Sequence, residues 1–153
     1  MIQRIQSIYL FIASVLLFVT TLLPISHLVD PSSHSQVTIY ALKIVTAEKV
    51  SHPFSIISTG ILIYTSIIIG FITIMLFKRR KLQILITSLL MVFTFLICNF
   101  IVANSFMLLP TSQALMSFEY ISIFPLIALI LFFLAFKAIK KDDKLVKSLD
   151  RIR

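Results

Sequence analysis

The chain has 153 residues, of which 59% are hydrophobic and 13% are charged, and its mean hydropathy is +1.05. Soluble domains are usually about 45–50% apolar and about 25% charged, so this composition excludes an ordinary soluble domain and indicates a membrane protein. A net charge of +8 would favour a nucleic-acid partner in a soluble chain, but the cations here follow membrane topology instead. Cys98 is the single cysteine, so a disulfide within one chain is excluded.

The first predicted membrane-spanning helix covers residues 5–23. About 19 residues at about 1.5 Å per residue are enough to cross a hydrocarbon core of about 30 Å. A cleaved signal peptide is the competing interpretation. The basic region before the apolar run is thin, with Arg4 as its cation, and no A-x-A-like cleavage site follows. We therefore expect an uncleaved helix.

Residues 24–53 are the longest polar stretch and are predicted to form an external loop. A turn cluster occupies 30–35, and the stretch over 36–46 is rich in β-branched and aromatic residues. That stretch alternates at every second position, with Val37, Ile39 and Ala41 in one set and Thr38, Tyr40 and Leu42 in the other. A period of two predicts a strand or small hairpin, which we expect on the outer membrane face.

The three histidines, His27, His34 and His52, all fall in this loop. Their spacings of seven and eighteen residues match no standard zinc motif. We expect interfacial or solvated histidines, and we predict no metal site and no cofactor.

The second predicted span covers 54–77 and the third covers 82–103. Cationic side chains are retained on the cytoplasmic side, so the basic turn over 78–81 is predicted to be cytoplasmic and sets the orientation of the chain. Within the second span, Ser66 and Gly70 form a small-xxx-small pair that permits close approach of a helix. The four residues of the basic turn are Lys78, Arg79, Arg80 and Lys81.

Two amides mark the outer part of the third span and the second predicted external loop, which covers 104–119. Asn99 lies within the span and Asn104 follows it. An amide in hydrocarbon needs a partner, so we expect Asn99 to face another helix or polar backbone as a packing contact. A substrate-binding role is the alternative, although amides lack the charge that marks transport sites.

The fourth predicted span, residues 120–136, contains Pro125. A proline breaks a helix in principle, although membrane helices tolerate one when neighbours satisfy the freed carbonyl. The tail over 137–153 reads K-A-I-K-K-D-D-K-L-V-K-S-L-D-R-I-R. Leu145, Leu149 and Ile152 recur at i, i+4 and i+7, which predicts an amphipathic helix. We expect this helix to leave the fourth span and dock at the cytoplasmic face.

The predicted fold is therefore one all-α membrane domain over 1–153. It consists of four antiparallel transmembrane helices, a small external β element and a cytoplasmic C-terminal amphipathic helix. With both termini inside, 12 of the 14 Lys and Arg residues are cytoplasmic, and only Lys43 and Lys49 lie outside. No charged residue lies well within a predicted span, which argues against an energised transporter.

Both ends of the chain carry short, distinctive sequence motifs. The start over 1–7, M-I-Q-R-I-Q-S, with Tyr9, and the end over 138–153 resemble a Bacteroidota family of small four-span inner-membrane proteins with a domain-of-unknown-function label. The resemblance implies a bacterial cytoplasmic membrane and supplies no catalytic residue. It draws attention to an S-x-D-R-x-R ending that is typical of docking against a defined surface. The candidate interaction residues are Asp142, Ser148, Asp150, Arg151 and Arg153.

These observations favour a non-enzymatic accessory or scaffold subunit of a membrane complex. The alternatives are a small transporter or channel, lined by Ser, Thr and Asn, and a membrane enzyme acting on lipids or envelope precursors. An enzyme would have to use external groups that are scattered in the sequence. The tail offsets seven cations with three Asp, so an inner-leaflet contact is favoured over nucleic acid or ribosome. The external candidates for such enzyme chemistry are His27, Asp30, His34, Glu48, His52 and Glu119.

The orientation is testable by labelling a single cysteine in the tail. In a variant with Cys98→Ala and Ser148→Cys, we expect an impermeant maleimide to label the protein only after the cells are permeabilised, because the cations hold the tail inside. Labelling in intact cells from the periplasmic side would contradict the predicted topology.

Overall fold

The computed structural model describes residues 3–30, 35–46, 50–51, 54–107 and 115–150. Residues 31–34 of the predicted turn cluster, which include His34, and residues 108–114 of the second predicted external loop lie outside this part of the chain. So do Glu48, His52, Arg151 and Arg153. Four long helices carry segments that are long and apolar enough to cross a membrane. They are α1 (Gln3–Leu22), α2 (Phe54–Met75), α3 (Arg80–Met107) and α4 (Phe124–Asp150), with 3₁₀ turns at Leu76–Lys78 and Tyr120–Ile123.

A small antiparallel sheet occupies the connections between the helices and confirms the predicted β element. Its strands follow the order β4-β3-β2-β1-β5. The first four come from the α1–α2 connection, and β5, which the sequence pattern did not predict, comes from the α3–α4 connection. The strands are β1 (Ser26–Asp30), β2 (Ser35–Ile39), β3 (Ile44–Thr46), β4 (Val50–Ser51) and β5 (Leu115–Phe118). We call the end of the helices that carries it the sheet end, and the opposite end, at 79–81, the basic end.

Each helix packs against two others. α1 contacts α2 and α4, and α3 also contacts α2 and α4. Buried positions of α4 are spaced alternately by three and four residues, which is the spacing of a seam that faces neighbouring helices throughout its length. The seam consists of Pro125, Ala128, Phe132, Ala135 and Ile139.

The two glycines lie where other backbone or side chains approach α2 most closely. A Cβ atom at Gly70 would meet the Ser14 hydroxyl oxygen of α1, so the predicted small-xxx-small pair serves packing within the chain. A Cβ atom at Gly60 would meet Leu42 and also Ala41 O, 2.8 Å away. The absence of a side chain at Gly60 therefore lets the segment after β2 lie directly on α2.

Three predicted boundaries differ from the structure. Pro125 is the second residue of α4, so it breaks nothing, because the first turn of a helix has no internal partner for its N–H groups. α4 continues to Asp150 without ending near 136, so the tail does not leave the fourth span as a separate helix. The helix continues because Ala, Lys and Leu are good helix formers and no Pro or Gly lies between 136 and 150. The basic turn is also shorter than predicted, because α3 already begins at Arg80 and continues to Met107.

The contact between Gly70 and Ser14 makes a testable pair. Gly70→Ala should lower the free energy of unfolding by about 1 kcal/mol, because the new methyl displaces the Ser14 hydroxyl. In a Ser14→Ala background the same change should be neutral or stabilising, since the remaining Ser14 Cβ lies at an ordinary 3.5 Å. Unfolding of the purified protein in mixed micelles measures both. Equal losses in the two backgrounds would show that the two positions do not touch.

Candidate functional site

His27 lies on β1, between β2 and the edge strand β5, and joins three segments. It pairs in register with Thr38 of β2 and with Ser117 of β5. His27 Nδ1 lies 3.0 Å from Thr38 Oγ1, and His27 Nε2 lies 3.4 Å from Glu119 Oε1. Ser117 also donates its hydroxyl to His27 O at 3.3 Å. The sequence could not have paired His27 with Glu119, because the pairing depends on β5 joining the edge of β1.

His27 and Glu119 resemble the histidine–carboxylate pair of a general base, but here neither ring nitrogen of His27 is free. A general base needs a nitrogen within reach of the substrate proton. Both ring nitrogens of His27 already have partners in the sheet, so in this state the imidazole connects strands and has no nitrogen to offer a substrate. Among the described residues, no group of three or more His, Cys, Asp or Glu is placed to hold a metal ion.

An apolar groove of about 480 Å³ lies where β5 leads into α4. Val102 of α3, Phe118, Ile123 and Leu126 line it, and Glu119 lies among them. These four apolar side chains are 47–52% exposed, so the groove is open at its side. The groove therefore places the Glu119 carboxylate beside an apolar surface.

Hydroxyl side chains are buried between the helices, but they bond to their own backbone. Ser66 donates to Leu62 O at 2.7 Å, and Thr94 donates to Leu90 O at 2.7 Å. Such bonds satisfy a hydroxyl without a partner on another helix. The same i−4 pattern holds for Ser14, Thr20, Thr59, Thr73, Thr87 and Ser105.

Asn104, and not Asn99, makes a side-chain contact between helices. Its Nδ2 donates to Thr59 Oγ1 of α2 at 2.9 Å, and Asn104 is only 5% exposed. Asn99 is exposed, and its Nδ2 donates to Phe95 O of its own helix at 2.8 Å. Of the two partners predicted for Asn99, polar backbone is observed and another helix of the same chain is not. Five residues along a helix turn a side chain by about 140°, so the two amides cannot share a face.

Polar contacts also connect the helices at the basic end. Arg80 Nη2 lies 3.5 Å from Asp142 Oδ2, and Arg80 Nη1 donates to Asp142 O at 3.4 Å. Gln83 donates to Thr73 O at 3.3 Å. Asp142, predicted as a docking residue, is thus already engaged within the chain, and Arg80, predicted as a topology determinant, makes a structural contact with it.

Beyond Asp142, α4 continues for eight residues, or about 12 Å. Leu145 and Val146 are 45% and 37% exposed there. Ser148, another predicted docking residue, is exposed and donates to Leu145 O of its own turn. Asp150 is the last residue of α4. This projecting end of α4 exposes both apolar and basic side chains. Its docking to a partner or to the membrane stays a prediction.

Two asparagine variants separate the buried amide from the exposed one. Asn104→Leu should lower the free energy of unfolding by about 0.6 kcal/mol, and by no more than about 1.7 kcal/mol, because it removes a hydrogen bond between helices. Asn99→Leu should leave stability nearly unchanged, since its bond lies within one helix. Unfolding of both proteins in mixed micelles is the measurement. A larger loss for Asn99→Leu than for Asn104→Leu would contradict the assignment.

Comparison with known proteins places the chain in a family without giving it an activity. No curated protein matches it. The family model described as "Domain of unknown function (DUF4293)" matches residues 2–152, a range that includes all the helices and strands described above. The expected membership of an uncharacterised family is confirmed. This protein belongs to the DUF4293 family, whose function is unknown.

Proposed function

We propose that the protein is a non-enzymatic accessory or scaffold subunit of a bacterial inner-membrane complex. In this proposal the four helices form an antiparallel bundle with both termini in the cytoplasm. The distribution of cations supports the orientation, because the cytoplasmic segments would hold 12 of the 14 Lys and Arg residues. The resemblance of the two ends of the chain supports the bacterial membrane.

The exposed amide of Asn99 carries the proposal. It lies on the outward face of α3, among large apolar side chains that contact lipid in a single copy. Its Nδ2 bonds to Phe95 O, and its amide oxygen accepts no bond from the part of the chain that is described. Leaving polar atoms unpaired in hydrocarbon is costly. A helix of another subunit would supply the missing donor.

The surroundings of Asn99 fit a helix partner. Exposed residues on this face recur at intervals of three and four, which is the spacing that a packed helix pair requires. A polar residue in such a strip fixes the register of its partner at some cost in stability. The strip consists of Val92, Phe95, Asn99, Val102 and Phe106.

The projecting end of α4 supports a second contact at the basic end. α4 reaches without interruption from the sheet to about two turns beyond the Arg80–Asp142 pair. A continuous helix would hold the basic tail at a fixed position relative to the membrane. Arg151 and Arg153, which follow Asp150 in the sequence, would add directed bonds to a partner's carboxylates.

The alternatives have weaker support. A channel through one copy would need polar groups turned toward an open path, but interior side chains such as Ile63, Leu90 and Phe132 are fully buried. The interior hydroxyls bond within their own helices. An enzyme would need a reactive group, and the ring nitrogens of His27 are both engaged.

The proposal predicts that Asn99→Leu releases a partner while the protein stays folded and abundant. The tagged full-length chain is purified from its native membrane in mild detergent, and co-purifying proteins are quantified per molecule of bait. We expect a loss of about threefold or more, since one hydrogen bond between membrane helices contributes about 0.6 kcal/mol and the neighbouring packing is also disturbed.

Asn104→Leu is the matched control, because it removes a buried amide from the same helix and leaves the outward strip intact. It should lower abundance but keep the same amount of partner per folded molecule. If Asn99→Leu retains every stoichiometric partner, or if none co-purifies with the wild-type chain, the scaffold proposal fails.

A further inference from the structure

The groove beside Glu119 has the polarity of a binding site for an amphiphile. Its lining is apolar apart from a few groups at the end nearest the sheet. We propose that it holds the acyl chain of a bilayer phospholipid with a primary amine head group, whose ammonium pairs with the Glu119 carboxylate.

The order of residues along the groove matches the order of groups in such a lipid. Glu119 and Tyr120 lie between the sheet and α4, at the level where the chain enters its fourth long helix. Leu126 on α4 and Cys98 on α3 line the part farther from the sheet. Cys98 is four residues before Val102, which places it about 6 Å deeper along α3. The carboxylate is therefore at the shallow end and the hydrocarbon surface at the deep end.

Aromatic residues indicate that the mouth of the groove is at the membrane interface. Tyr120 is 89% exposed and Phe118 is 49% exposed, and both line the groove. Tyrosine is enriched at the level of lipid head groups because its ring is apolar and its hydroxyl is polar. An amine at this level would reach Glu119 without leaving the interface.

The charge of Glu119 selects the head group. His27 Nε2 contacts Glu119 Oε1 at 3.4 Å, and the Glu119 side chain still keeps 36% of its surface exposed. A carboxylate has two oxygens and accepts several hydrogen bonds, so an ammonium can bind alongside the imidazole. An anionic head group without an amine would be repelled from the same position.

The volume is suited to part of a lipid. Ligand sites usually enclose about 300–1,000 Å³, and this groove has about 480 Å³. Because it is open at its side, it would hold the upper segment of one acyl chain while the rest of the lipid stays in the bilayer. A lipid bound in this way is exchangeable and depends on both the groove and the carboxylate.

The test counts bound lipids on the purified full-length protein by native mass spectrometry. Micelles contain phosphatidylethanolamine, phosphatidylglycerol or N-acetylated phosphatidylethanolamine, which has lost its positive charge. The wild type should retain phosphatidylethanolamine in preference to both others. Glu119→Gln should reduce that preference about threefold, the size expected for a partly exposed ion pair. Leu126→Trp, which fills the groove, should remove most of the bound lipid of every class.

Two controls make the test specific. Leu134→Trp changes the same residue type on the same helix, at a position that is also exposed but does not line the groove, and should keep the lipid. His27→Gln removes the imidazole but keeps the carboxylate, so the preference for the amine should persist. If both His27→Gln and Glu119→Gln abolish the preference equally, the ammonium contact is wrong.

Other results would overturn the binding site itself. Equal lipid retention by Leu126→Trp and Leu134→Trp would show that the lipids lie elsewhere. A wild-type dimer that Leu126→Trp converts to monomers would show that a second copy covers the groove. Should Glu119→Gln fail to fold, the comparison of free and N-acetylated amine on the wild type decides the head-group contact, and equal binding would refute it.

Discussion

Close approach of the helices depends on side chains that are small or that satisfy their own polar atoms. Gly70 of α2 leaves room for Ser14 of α1, and the Ser14 hydroxyl bonds to Leu10 O rather than across the interface. Lipid is as apolar as a leucine side chain, so helices in a bilayer gain little from burying hydrocarbon and rely on tight packing and hydrogen bonds. On α4, small and large side chains alternate at the buried positions Ala128, Phe132 and Ala135, which also allows tight packing against the neighbouring helices.

Polar contacts at the two ends then fix how the packed helices align. At the basic end, Gln6 of α1 donates to Ala138 O of α4, and the Arg80–Asp142 pair connects α3 with α4. At the sheet end, Asn104 connects α3 with α2, and the Ser26 and Ser105 hydroxyls lie 3.3 Å apart. These contacts lie near the ends, where water can compensate an imperfect bond, while the middle of the helices is packed by apolar and hydroxyl side chains.

Asn99 and Glu119 take no part in these contacts between helices, and each is proposed above to meet another molecule. Asn99 faces outward from α3 among lipid-exposed side chains. Glu119 stands beside an apolar groove at the sheet end. Asn99 fits a helix partner, because its amide oxygen needs a hydrogen-bond donor in hydrocarbon. Glu119 fits an amphiphile, because its charge lies next to an apolar surface. The scaffold and lipid proposals therefore rest on different residues.

The sequence by itself determined the four spans, the basic connection between α2 and α3, a strand or small hairpin near 36–46 and membership of an uncharacterised family. Those features depend on local periodicity and composition, since a run of apolar residues has few stable structures in a membrane. Only the tertiary structure decided that Asn104 and not Asn99 is buried, and that β5 brings Glu119 to His27. Each of these depends on helix rotation or strand pairing between distant segments, and a single sequence does not record which faces meet.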